Sequence, residues 1–356
     1  MRKGITIVCV AYNEEKRAEQ FFESIKMFDE IILIDRSSTD RTCEIAGKYG
    51  AKIYKIPYVD AKEEHLVFER INKELYSMPE NEWVMNLTFA DIAHPKLYNQ
   101  LIQLINRDKF DYTIVQVPWV EYLFGKEDEY IPYCHYWRPV LRKKEFIQNS
   151  TVTHHEIGVL LKKEFRMKKN KKIAVHHMTY FNLQYSFFEQ HVRYAIQEVA
   201  TYYSKQENPK KILAENIKKA MIESTKIIYE GVLAGRDKEI IKHGTMIALY
   251  RSLEYYLAIY LILWADGKKN DVNKIFENIY SNLQKNGGKV PKRQVFKMWL
   301  ELFGSAFKMF GSDIIALLAA QNIVIIMTLM IIWDDRRKES VEEVYSRLKN
   351  DILSDK

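Results

Sequence analysis

The sequence predicts an α/β protein with a mostly parallel sheet in its N-terminal half and an α-helical region behind it. Two observations carry this. Apolar runs at 5–12, 31–35 and 51–56 alternate with segments of helical spacing, and strand, helix, strand, helix, strand within so short a span means parallel pairing by right-handed crossovers. After about residue 185 the pattern changes to long helical repeats with basic residues on their polar sides and no strand.

The elements follow in order. Residues 5–12 form an unbroken apolar run, as in a strand buried on both faces. From Glu15 the apolar positions Ala18, Phe21, Phe22, Ile25 and Phe28 return at helical spacing. Residues 31–35 give a second buried strand, Cys43, Ala46 and Tyr49 one side of a short helix, and 51–56 a third strand. Further strands are expected at 82–87, 111–117 and near 171–177. The domain organisation expected is a sheet domain over 1–185, a helical region over 186–333 and a charged helix or tail over 334–356.

Composition narrows the class without fixing it. A net charge of +7 is spread too evenly to imply nucleic acid, and 23 tyrosines favour clefts and interfaces. Cys9, Cys43 and Cys134 form no CxxC pair and read as reduced, as in a cytosolic protein. The first apolar run is too short for a signal peptide. Ile314 to Trp333 is 20 residues without a charge, roughly 30 Å as a helix. Three roles are open to it: spanning a bilayer, lying in the interface, or docking on the protein.

The second strand ends in "IDRSSTDRT", residues 34–42. Asp35 closes a buried strand at the carboxyl edge, where open parallel sheets bind ligands, beside Ala11, Tyr12, Asn13 and Glu14 at the end of the first. Ser37 with Asp40 three residues on reads as a capping box or as ligand contacts. No glycine lies between Gly4 and Gly47. Dinucleotide-binding turns and P-loops both require glycines so that backbone can reach a phosphate, which excludes those classes.

"VAYNEE" (10–15) followed by "DEIILIDRSSTDRTCEIAGKYGAKIY" (29–54) resembles the start of a family 2 glycosyltransferase with the GT-A fold, a Rossmann-like sheet. "RPVLRKKEF" (138–146), "THHEIG" (153–158) and "HMTYFNLQYSFFEQHVRYA" (177–195) extend the likeness to enzymes of bacterial lipopolysaccharide core and surface polysaccharide. The resemblance implies an inverting transfer of sugar from a nucleotide-sugar donor, usually a UDP-sugar. The acceptor would be lipid-linked or a polysaccharide, met at the cytoplasmic face of a bacterial membrane by a peripheral protein.

It also implies roles. Ala11, Tyr12, Asn13, Glu14, Asp35, Ser37, Asp40, Arg70 and Thr88 would contact the nucleotide-sugar, and Glu156, oriented by His155, would be the base. Mn²⁺ or Mg²⁺ would sit at Asp91 and His177. The family's DxD falls on "MNLTFADIAHP" (85–95), where Thr88 and Ala90 replace both acids and only Asp91 remains. This departure keeps a second reading open, a non-catalytic module that binds a nucleotide-sugar or scaffolds a partner. Cations are the alternative to a metal, Arg70, Arg138 and Arg142 among them. The run 161–172, with seven basic residues and one acid, is either a solvated loop or a patch for anionic headgroups.

Overall fold

The computed structural model describes residues 3–58, 78–123, 135–144 and 163–179, with a few further residues between 205 and 352. Nine strands join in one sheet, in the order β3-β2-β1-β4-β7-β6-β9-β5 with β8 beside β6. The strands β1 (Ile5–Ala11), β2 (Glu30–Asp35), β3 (Lys52–Lys55) and β4 (Trp83–Asn86) run parallel. β7 (His135–Lys143) lies antiparallel to β4 and to β6 (Ile114–Leu123), while β8 (Glu164–Arg166) and β9 (Val175–Thr179) run parallel to β6. The short β5 (Asp91–Ala93) closes the order antiparallel to β9.

The unbroken apolar runs are explained by burial of both faces. Ile5, Ile7, Cys9, Ile31 and Leu33 meet the helices α1 (Glu15–Ile25) and α3 (Pro95–Ile105), while Val8, Ile32, Ile34, Ile56 and Val84 form a smaller cluster. In α1 the period-3.6 positions Ala18, Phe21, Phe22 and Ile25 are all buried. Sinking each phenylalanine contributes roughly 2–3 kcal/mol relative to exposure. Phe28 is buried just past the end of that helix.

The structure corrects three readings of local sequence. Helix α2 (Thr42–Lys48) starts later than a box at Ser37 and Asp40 requires. Asp40 precedes the N-cap residue Arg41, and its Oδ1 accepts from the Thr42 amide at 2.9 Å and the Thr42 hydroxyl at 2.5 Å. Ser37 instead donates to the Ile56 carbonyl at 3.2 Å. Second, the strand expected at 111–117 begins at Ile114 and runs on to Leu123. Third, β5, β7 and β8 were not foreseen, nor was α3, which Pro95 opens and His94 caps through Nδ1, 3.1 Å from the Lys96 amide.

By internal contact the chain divides into two units: Met1–Glu127 with Tyr133–Thr179 and Val341–Lys356, and Asp128–Pro132 with Tyr180–Ser340. In the second unit the described residues are helical, turn or coil, among them the helical Lys211, Ile212, Tyr229 and Glu230. Among the described residues no helix is long and apolar enough to cross a membrane. The segment 314–333 lies outside them.

Candidate active site at the carboxyl edge of the sheet

Parallel strands deliver their carboxyl ends to one edge, and there the loop after β1 is laced to the loop after β2. Asn13 donates its amide to Ser38 Oγ (2.9 Å) and accepts from the Thr39 amide on Oδ1 (2.8 Å). The Glu14 amide donates to Thr42 Oγ1 at 2.8 Å, the Glu15 amide to Asp40 Oδ2 at 3.0 Å, and the Arg41 amide to Glu15 Oε2 at 3.1 Å. Asn13 (φ 54°) and Ser37 (φ 61°) both take the left-handed conformation that side chains rarely adopt. The lacing overrides that preference, which is how these tips turn tightly without glycine.

Asp35 is fully buried, and both its oxygens accept from the Ser38 amide, at 3.1 and 3.2 Å. Its carboxylate thus holds the turn 35–38. Burial, and then a hydrogen bond to that carboxylate, pushes the Cys43 thiol up to about 11, so the thiol stays protonated at neutral pH. What this tip presents outward is aromatic. Tyr12 and Tyr58 are exposed with ring centroids 4.2 Å apart, and the Arg36 guanidinium lies 5.0 Å from the Tyr58 centroid. Neither Tyr58 nor Arg36 was singled out in the sequence, although both follow strand ends.

Past β4 the chain turns through Thr88, Phe89 and Ala90 into β5. Thr88 is exposed; its amide and hydroxyl donate to Asp91 Oδ2 at 2.6 and 3.0 Å. Register pairs Asp91 with His177 across β5 and β9, and His177 with Glu121 across β9 and β6. Residues paired directly share a face of the sheet, so two acids flank one imidazole in a row. His177 Nδ1 lies 2.5 Å from Asp91 Oδ1. An ionised carboxylate only accepts, so Nδ1 is the donor in this contact. Buried Glu121 accepts from the Tyr136 hydroxyl at 2.8 Å. The Trp119 ring lies beneath this row, 5.5 Å from His177 and 4.4 Å from the Arg138 guanidinium.

Asp91 and His177 do not fit as a pair of ligands to one hard cation. Asp91 is 1% exposed and bonded within the protein at both oxygens, whereas Mn²⁺ or Mg²⁺ takes several open oxygen ligands. Thr88 and Ala90 add no carboxylate. Among the described residues no group of three or more histidines, cysteines, aspartates or glutamates is placed to hold a metal. Arg70, His155 and Glu156 lie outside the described residues, whereas Ala11, Tyr12, Asn13, Glu14, Asp35, Ser37, Asp40, Thr88, Asp91 and His177 all come to this edge.

Comparison with known proteins places the chain in a family. The family described as "Glycosyl transferase family 2" matches residues 6–188, a little over half of the chain, and the chain belongs to it. An uncharacterized glycosyltransferase of Rickettsia bellii is 27% identical over 114 residues, 31% of this chain and 36% of that protein. The 4,4'-diaponeurosporenoate glycosyltransferase of Staphylococcus haemolyticus is 41% identical over 59 residues, 16% of each chain. The matches thus span 36% and 16% of these two relatives' own lengths. Among solved structures, S. aureus TarS is similar over 55% of this chain and 39% of its own, at 12% identity and a TM-score of 0.34. Glucosyl-3-phosphoglycerate synthase from Mycobacterium tuberculosis, crystallised with Mn²⁺, uridine diphosphate and glucosyl-3-phosphoglycerate, is similar over 41% of this chain and 58% of its own (17% identity, TM-score 0.30).

Proposed function

We propose that this chain is an inverting glycosyltransferase that moves a sugar from a UDP-sugar to a lipid-linked or polysaccharide acceptor of the bacterial cell surface. The observation that carries the reading is the meeting, at one edge of a family 2 sheet, of an exposed aromatic pair with two laced polar loops. Tyr12 and Tyr58 offer a face on which a nucleobase stacks, an interaction of about 1–3 kcal/mol per base. Ser37, Thr39 and Thr88 are exposed beside them as hydrogen-bonding groups for ribose and phosphate.

In the transfer, an acceptor hydroxyl oxygen forms a bond to the anomeric carbon as that carbon's bond to the β-phosphate oxygen breaks. The hydroxyl proton passes to the Glu156 carboxylate, oriented by His155, and the electron pair leaves on UDP. The chain would work as a peripheral protein on the cytoplasmic face of the membrane. Supporting this, Lys163, Arg166, Lys168, Lys169, Lys171 and Lys172 are all exposed on and around β8, and each basic residue near an anionic surface is worth about 1 kcal/mol.

The test is transfer of labelled sugar from UDP-sugars into a bacterial lipid extract, run beside UDP titrations of wild type and Glu156→Gln. The expected result is lost turnover in the variant with UDP affinity kept. Turnover that survives the substitution, or absence of UDP binding in wild type, overturns the reading.

A further inference from the structure

We propose that Arg138, stacked on the Trp119 ring, is a phosphate-binding cation on the sheet face beside the Asp91–His177 pair. The inference rests on the glycosyltransferase reading and adds to it a cation that holds the diphosphate.

The Trp119 ring is buried and serves as a fixed platform. The half-buried Arg138 makes no hydrogen bond or ion pair among the described residues; its one contact of note is the Trp119 ring, 4.4 Å from Cζ to the centroid. A guanidinium laid on an aromatic face keeps its rim of N–H groups directed outward, and that planar fork matches phosphate. A cation that can only donate is complemented by an anion rich in acceptor oxygens.

The surroundings allow a negative ligand. The nearest acids are covered by donors of their own: Asp91 by Thr88 and His177, Glu121 by Tyr136. Position also agrees. Arg138 lies three residues before Leu141, the partner of Met85, on the part of β7 that runs past the carboxyl end of β4. That is the level of Thr88, at the edge where the nucleotide is proposed to lie. A cation here would stabilise the charge that develops on the leaving diphosphate, where among the described residues no cluster of acids, cysteines and histidines is arranged around a metal.

The same chemistry would serve a donor diphosphate or the phosphate of a lipid acceptor, and the experiment separates them. UDP and uridine are titrated into wild type, Arg138→Gln, Arg138→Lys and Trp119→Phe, with thermal melting of each as a check on folding. Flotation with vesicles of phosphatidic acid, against phosphatidylcholine alone, gives the lipid arm. For a donor site, UDP affinity falls about tenfold or more in Arg138→Gln and a few-fold in Trp119→Phe, while uridine affinity is unchanged. Arg138→Lys is intermediate, since it keeps the charge and loses the fork. For a lipid-phosphate site, the same variants lose phosphatidic acid binding and keep UDP. Wild-type-like UDP and vesicle binding in all folded variants overturns the inference and leaves the glycosyltransferase reading standing. Failure of wild type to bind UDP overturns that reading, and the vesicle arm alone then decides Arg138.

Discussion

Asp91 and His177 stand opposite each other in adjacent antiparallel strands, and one hydrogen bond of 2.5 Å joins Oδ1 to Nδ1. With Oδ2 held by the Thr88 amide and hydroxyl, the carboxylate fastens the turn after β4 to β9. Asp91→Ala should therefore destabilise the fold by about 2–4 kcal/mol, since it leaves three donors, two on Thr88 and one on His177, without their acceptor. Asp91→Asn should cost less, because an amide oxygen still accepts from Thr88. Urea denaturation of the three proteins checks the order.

Stacking at the edge where the nucleotide is proposed to lie makes a separate prediction. Tyr58→Ala should weaken UDP and uridine alike by roughly tenfold, because the base and not the phosphate is lost. The contrast with Arg138→Gln, expected to affect UDP alone, is read by calorimetric titration of both ligands.

Acid sensitivity should trace in part to Glu30, far from the site. Burial alone would raise its pKa. The hydrogen bonds from Lys52, Thr6 and the Glu80 amide outweigh burial and hold the carboxyl below its ordinary value of 4.5. A folded-state pKa below the unfolded one gives stability that is present above the unfolded value and lost as pH falls through the folded one. Unfolding midpoints in urea should thus drop from about pH 5 downward, and Glu30→Gln should be less stable at neutral pH with a shallower fall in acid.

A close approach at the start of β1 predicts a coupling. A Cβ on Gly4 would sit 2.2 Å from Asn81 Oδ1 and 2.8 Å from its Cγ, on the side chain whose Nδ2 donates to Thr6 Oγ1. Gly4→Ala should cost about 1 kcal/mol by displacing that amide. In the double variant with Asn81→Ala the two effects should fall short of additive, as thermal melts of all four proteins would show.

The central strands were legible because β1 and β2 are buried on both faces and read as continuous apolar runs. β7 was not, since "HYWRPVLRK" carries a proline and four basic or imidazole side chains and so has the composition of a loop. It is held as a strand by pairing on both sides, with exposed Pro139 between Arg138 and Val140. β5 is three residues long, too short to have a period. Helix α3 could have been found from Leu97, Leu101 and Ile105 behind Pro95. The site divides similarly. Tyr12, Asn13 and Asp40 lie in motifs whose order along the chain announces them. The Asp91–His177 pair spans 86 positions, and Trp119 and Arg138 meet only because the sheet reverses between β6 and β7. No local pattern encodes either meeting.

The lacing between residues 13–15 and 38–42 has a consequence for rebuilding this edge. The loops after β1 and β2 each supply acceptors for the other's amides, and each has one residue, Asn13 and Ser37, whose backbone is held in a conformation it would not choose alone. The two behave as one part delivered in two pieces. A transplant of either segment from another member of the family would arrive without its counterpart; the unit of exchange is the pair.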